Sequence, residues 1–223
     1  MSAVNRAIIL AAGQAFQLDG VNKVLIRHPR DGRTILDWAL DAFAGKKVTV
    51  VVGFRSVQIM QAYPHLDYVI NPDWAVTSNA MSLGLALNDE PCYVVSGDIF
   101  FERELVERLD QGPPDLALTE ARENRPLTAV HCVLRPDDSI SETYLGPVRD
   151  IRHPEAIGLF KASHPELLRR WKQQCLRHGN LFVGQVLPCD IVPVVSFPRQ
   201  ESTFDEINTP ADYLRLARRY HPL

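Results

Sequence analysis

The run Ala7-Ile-Ile-Leu-Ala-Ala-Gly13, followed downstream by Val48-Thr-Val-Val-Val-Gly53 and Tyr93-Val-Val-Ser-Gly-Asp98, decides the fold class. Each is a short, continuous apolar segment that ends in small or turn-forming residues. Continuous apolarity marks a strand covered on both faces, as in a parallel sheet flanked by helices. Helical patterns lie between these runs. Thr34 caps a segment with the apolar stripe Ile35, Leu36, Trp38, Ala39, Leu40 and Phe43, and Gly45 closes it. Residues 58–63 form a short helix stopped by Pro64. Residues 68–70 read as a strand, and Asn79 opens a helix that runs to Leu87. Strand, helix, strand in this rhythm predicts parallel strands joined by right-handed crossovers. Residues 1–110 therefore read as a doubly wound α/β sheet. Within them, residues 24–26 read as a short extended piece. From residue 111 the strand-like segments crowd together, at 116–118, 129–134, 143–145 and 157–160. A helix over 164–178, a strand over 191–197 interrupted by Pro193, and a last helix opened by Thr209 complete a mixed second half.

Length and composition bound the function. The 223 residues suit one domain, and 46% hydrophobic with 23% charged residues is ordinary globular composition. Lys plus Arg is 24 against 27 Asp plus Glu, a net charge of −3. No basic excess exists to drive binding to a phosphate backbone, so no nucleic-acid partner is expected. No apolar run approaches the ~18 residues a membrane span needs, and the first residues carry no leader pattern. A cytoplasmic protein with no membrane partner is expected; a homo-oligomer is left open. Cys92, Cys132, Cys175 and Cys189 form no CxxC pair and read as buried thiols rather than zinc ligands or a disulfide frame.

Four segments carry candidate chemistry. The loop from Leu10, Ala11, Ala12, Gly13 and Gln14 to Lys23 leaves a strand through small residues, which lets backbone N–H groups approach an anion. It is neither a dinucleotide fingerprint nor a Walker loop, because the required glycines and Gly-Lys-Ser/Thr are absent. Asn71-Pro-Asp-Trp74-Ala-Val-Thr-Ser-Asn79-Ala-Met-Ser82 runs into a helix at whose start Asn79 is a good N-cap. Ser96-Gly-Asp98 places a carboxylate just past a strand, at the ligand edge of the sheet. In Phe204-Asp-Glu206-Ile-Asn208-Thr-Pro-Ala-Asp212, alternation puts Glu206 and Asn208 on one side of an extended chain. Two oxygen donors there could join Asp98 around magnesium, which takes one or two carboxylates plus substrate phosphates. Asp212, three residues after Thr209, reads as a local helix cap.

In order and content these segments resemble the nucleotidyltransferases of the sugar-phosphate and phosphocholine type. Leu10-Ala-Ala-Gly13 with Lys23 is similar to their Leu-Ala-Ala-Gly-x-Gly-x-Arg followed by lysine. Thr77-Ser-Asn79-Ala-Met-Ser82-Leu83 resembles the Thr-Asn-Asn-x-x-Ser-Leu of the phosphocholine cytidylyltransferase branch, and residues 206–212 resemble Glu-Ile-Asp-Thr-x-x-Asp. The chain departs from the pattern where Ala15 replaces a glycine, Gln17 an arginine that faces the β- and γ-phosphates, Ser78 an asparagine and Asn208 an aspartate. Asn22, not proline, precedes the lysine. Lys23 and backbone groups suffice without that arginine, or Arg6 or Arg27 helps, or activity is weakened.

The resemblance implies a single Rossmann-like domain over 1–223. Residues 1–110 would bind the NTP and 111–203 the acceptor, with the metal-ligand segment and terminal helix in 204–223. It implies a Mg2+-dependent transfer of CMP from CTP to a small phosphorylated or phosphonate acceptor, with loss of pyrophosphate. Lys23 and Asp98 would be catalytic. Leu10 to Gln14, Lys23, Asn79 and Ser82 would bind the nucleotide, and Asp98, Glu206 and Asn208 the metal. Acceptor candidates are Arg122, Arg125 and Trp74, then Arg149, Arg152 and His153; Trp38 and Trp171, on helices, read as core. Other readings are a sugar-1-phosphate nucleotidyltransferase, a degenerate NTP-binding module and, more distantly, a glycosyltransferase lacking its Asp-x-Asp motif.

Overall fold

Four parallel strands form the amino-terminal half of the sheet: β1 (Arg6–Ala11), β2 (Lys47–Val52), β3 (Asp67–Ile70) and β4 (Cys92–Ser96). The computed structural model describes residues 4–123 and 125–220. The expectation about the first residues falls in part on 1–3, outside the described residues. β1 is central: Ile9 lies opposite Val50 of β2 on one side and Val95 of β4 on the other.

Consecutive residues of β1 serve opposite layers, which explains the unbroken apolar run. Ile9 joins Leu36, Phe43, Leu105 and Leu109 in one core cluster, and Ile8 joins Leu83, Leu168 and Trp171 in the other. Helices α1 (Ile35–Ala42) and α4 (Arg103–Gln111) thus cover one face. Helices α3 (Asn79–Ala86) and α5 (Pro165–Arg177) cover the other. Helix α2 (Ser56–Ala62) links β2 to β3, burying Ile59. Thr34 caps α1 as expected, in a reciprocal box: its hydroxyl accepts from Asp37 N at 3.0 Å and Asp37 accepts from Thr34 N at 2.8 Å.

The second half extends the same sheet. Strands β6 (Leu116–Glu120), β7 (Val130–Leu134), β8 (Ile140–Leu145), β9 (Glu155–Ala162) and β10 (Val195–Pro198) follow the three-residue β5 (Ile99–Phe101) and α4. β9 runs antiparallel between β4 and β6, knitting both halves into one mixed sheet, ordered β10-β6-β9-β4-β1-β2-β3. A last short strand, β11 (Phe204–Glu206), pairs antiparallel with β5, and α6 (Pro210–Tyr220) packs beside it.

Two local expectations are corrected. Residues 23–25 form a 3-10 turn rather than an extended piece, with Ile26 N bonded to Lys23 O. The strand expected over 191–197 is confined to Val195–Pro198, past the proline that cannot donate to a ladder. β5 and α4 carried no expectation. The four cysteines are free and buried, and burial pushes their thiols up. Trp171 and Trp38 are buried as expected. No helix among the described residues is long and apolar enough to cross a membrane.

Candidate active site

The strand order departs from β1 in both directions, so a crevice opens past its carboxyl end, between β1 and β4. Gly97 seals the base of this crevice. Its N–H donates to Leu10 O at 2.9 Å, and a Cβ there would stand 2.6 Å from that oxygen, so no larger residue allows the approach. The loop after β1 passes through a 3-10 turn at Phe16–Leu18. It then bends through Asp19 and Gly20, both in the left-handed region, and delivers Lys23 back to the crevice.

Two cavities meet here. The smaller, about 350 Å3, is lined by Leu10 to Gln14, Asn71, Trp74, Asn79 and Ser82. The larger, about 1270 Å3, is lined by Gln17, Arg122, Glu155, Glu206 and Asn208 among others. Gln14, Lys23, Asn79 and Asp98 line both.

Pairing of β11 with β5 brings the distant acidic segments together. Glu206 lies opposite Ile99, and Ile207 N donates to Asp98 O at 2.9 Å. Lys23 Nζ donates to Asp98 Oδ2 at 2.9 Å and to Asn208 Oδ1 at 2.6 Å. Asn208 Nδ2 donates in turn to Glu206 Oε1 at 2.7 Å. Glu206 and Asn208 therefore share a side, as alternation predicts. Ile207 enters the apolar cluster with Leu216 of α6 on the other. Asp212 caps α6 as expected, accepting from Asn208 N, Thr209 N and the Thr209 hydroxyl.

Asp98 Oδ1 is buried and has no hydrogen-bond partner. Burial, and next the Asp98 charge, push the Glu206 carboxyl up to about 7. The consequence for stability has a definite sign. Between the unfolded pKa near 4.3 and about 7 the folded chain holds a proton that the unfolded chain has released. Stability must therefore fall as pH rises through that window. Glu206→Gln, with nothing to deprotonate, is expected to flatten this dependence; thermal melts at pH 5, 6, 7 and 8 compare the slopes, and identical slopes count against it.

Other candidates lie elsewhere or serve the scaffold. Ser82 is buried, its Oγ accepting from Asn71 Nδ2 at 3.1 Å. Asn79 does not cap its helix: Ser78 precedes it, and Asn79 Oδ1 instead accepts from Val183 N at 2.9 Å. Trp74 borders the smaller cavity with the β1 loop, not the larger one with Arg122. Arg125 lines neither cavity; its guanidinium donates to the carbonyls of Arg122, Ile151 and His153 and meets His131, pinning the backbone. Arg149 and Arg152 pair at the surface with Glu142 and Asp150. His153 meets Tyr144 outside both cavities. Arg6 bonds Asn88 and Ala86 O from the far end of β1, and Arg27 bonds Gly32 O, so neither supplies the cation missing at Gln17.

Sequence reading missed the charged set around Arg122. Its Nε donates to Glu120, and its Nη1 lies 3.9 Å from Glu155 and 4.0 Å from Glu206. Arg199 also pairs with Glu120. No spacing signal marks these residues, which stand on separate strands and in separate loops. Among the described residues, no three His, Cys, Asp or Glu side chains group as a metal site. The converging oxygen donors are two carboxylates and one amide. An unpartnered Asp98 oxygen beside Glu206 fits magnesium, which completes its shell with water and phosphate oxygens.

Residues 7–179 match the family model described as a MobA-like NTP transferase domain. A relative, the CMP-5'-(3-aminopropyl)phosphonate synthase of Streptomyces rubellomurinus, is 31% identical over 181 residues, covering 74% of this chain. The match spans only 28% of that relative's own length. Two solved structures share the fold. The CTP:phosphocholine cytidylyltransferase of Streptococcus pneumoniae superposes with TM-score 0.73 at 15% identity, over 97% of this chain and 99% of that one. The inositol-1-phosphate CTP transferase of T. maritima gives 0.72 at 17% identity, over 99% and 98%.

Proposed function

This chain belongs to the MobA-like NTP transferase family, and we propose that it is a nucleotidyltransferase that transfers CMP from CTP to a small phosphonate or phosphate acceptor, releasing pyrophosphate. The observation that carries this reading is the junction of Lys23, Asp98, Glu206 and Asn208 where the two cavities meet. The cytidine and the phosphonate are supported by the product in the name of the Streptomyces relative.

The smaller cavity would take the nucleoside, with Asn79 and Trp74 at its wall and the small-residue loop from Leu10 to Gln14 along the phosphates. Lys23 would hold the α-phosphate and neutralise charge developing on the leaving pyrophosphate. An oxygen of the acceptor attacks the α-phosphorus in line, and the bond to the bridging oxygen of pyrophosphate breaks. A phosphate monoester is largely dianionic at neutral pH, with a second pKa near 6, so the attacking oxygen needs no general base. The chain's task is alignment and charge neutralisation. Asp98 and Glu206, with Asn208 as a neutral donor, would hold Mg2+. When bound it supplies positive charge to the phosphate oxygens.

Pyrophosphate release tests this, with the four NTPs, Mg2+ and a panel of alkylphosphonates, aminoalkylphosphonates and phosphate monoesters. Release with CTP and at least one acceptor is expected. CTP binding without release for any acceptor would favour the NTP-binding module instead.

A further inference from the structure

Glu120 and Glu155 are register partners on the antiparallel strands β6 and β9, two like charges directly opposite each other. Such a pair is destabilising unless a cation divides it. Glu120 has its cations, Arg122 and Arg199. Glu155 is 6% exposed, lines the larger cavity, and its Oε2 is buried without a hydrogen bond. Arg122 Nη1, at 3.9 Å, lends it charge but no hydrogen bond. Four carboxylates (Asp98, Glu120, Glu155, Glu206) here face Lys23, Arg122 and Arg199, and Arg125 adds charge near Glu155 while its own N–H groups are taken by backbone carbonyls and His131. Had the cavity been built for an anion alone, the buried Glu155 would only repel it.

We infer that Glu155 recognises a primary ammonium on the acceptor, which makes the second substrate a zwitterionic aminoalkyl phosphonate or phosphate. The anionic end would face Lys23 and the Asp98–Glu206 junction, and the ammonium would donate to Glu155 Oε2. A carboxylate suits a primary ammonium, which has N–H groups to give; a quaternary ammonium has none and is instead held by aromatic faces. The assignment rests on the nucleotidyl-transfer reading for the identity of the anionic end.

Steady-state kinetics with 3-aminopropylphosphonate and propylphosphonate, for wild type and Glu155→Gln, tests the inference. O-phosphoethanolamine and 2-aminoethylphosphonate distinguish phosphate from phosphonate. Wild type is expected to favour the amine-bearing acceptor roughly 10- to 100-fold in kcat/KM, the value of a hydrogen bond to a charged group. Glu155→Gln is expected to bring the two within about threefold. Equal use of both acceptors by wild type would overturn the inference. So would a preference for the trimethylammonio analogue, or a variant that loses both acceptors equally, as a merely structural residue would. Calorimetric binding of the same two phosphonates reads Glu155 independently of turnover. If no acceptor supports release, the transfer reading falls, while Glu155-dependent preference for the amine in binding still upholds this inference. Indifferent binding ends it.

Discussion

Asp98→Ala is expected to lower pyrophosphate release by about 10³-fold, the upper range for removing one preorganised charge-stabilising group. Asp98 lies where β4 ends, held by the Gly97 contact to β1 and by the Ile207 bond to its own carbonyl. Both restraints are backbone, so the substitution leaves the loop in place. The fold should tolerate the change, because the side chain removed is half of a like-charged pair. Its partner Glu206 then deprotonates more easily, and Lys23 keeps its bond to Asn208. Melting within about 2–4 °C of wild type, roughly 1 kcal/mol for a domain of this size, would accompany the loss of turnover. Turnover near the wild-type level would sink the proposed site.

Lys23→Ala is the second large effect, expected at roughly 10²- to 10³-fold in kcat/KM for CTP. No other basic residue lies between Gly13 and Asn22, where Gln17 stands in place of an arginine. Unlike the change at Asp98, this one should also cost stability, and in a pH-dependent way. Lys23 is the cation bonded to Asp98, and its removal leaves the two carboxylates facing each other without it. The melting temperature should drop more at pH 8, where Glu206 is ionised, than at pH 6, where it can hold its proton. A parallel loss at both pH values would mean that Lys23 acts by packing alone. Lys23→Arg, which keeps the charge but changes its shape, should recover the stability at pH 8 more fully than the activity.

The candidate segments after β1 and β4 are legible because they follow buried parallel strands. Ala7 to Ala11 and residues 93–95 announce such strands by unbroken apolarity, and the residues just past them fall at the ligand edge of the sheet. Lys23 and Asp98 are reached this way; Glu206 and Asn208, in and just after the antiparallel β11, are reached instead through the resemblance of residues 206–212. The alternation of residues 204–208 even placed Glu206 and Asn208 on one side. Residue type alone is a weaker guide to a site than position on the sheet. Arg125, Arg149 and Arg152 look like anion binders in a list of charges, yet each is occupied by neighbouring carbonyls or carboxylates. Asn79 looked like a cap because its type favours one, but a distant backbone N–H from Val183 claims its oxygen.

Local pattern determined that this chain builds a doubly wound sheet, because hydrophobic period and turn chemistry act over a few residues and are written in order. Tertiary structure alone decided which charges confront one another. The antiparallel entry of β9 between β4 and β6 sets Glu155 against Glu120, and the pairing of β11 with β5 carries Glu206 to Asp98. Register between segments separated by 35 to 108 positions is fixed by how the two apolar faces of the sheet fill. That is a property of the assembled core and not of any stretch of the chain.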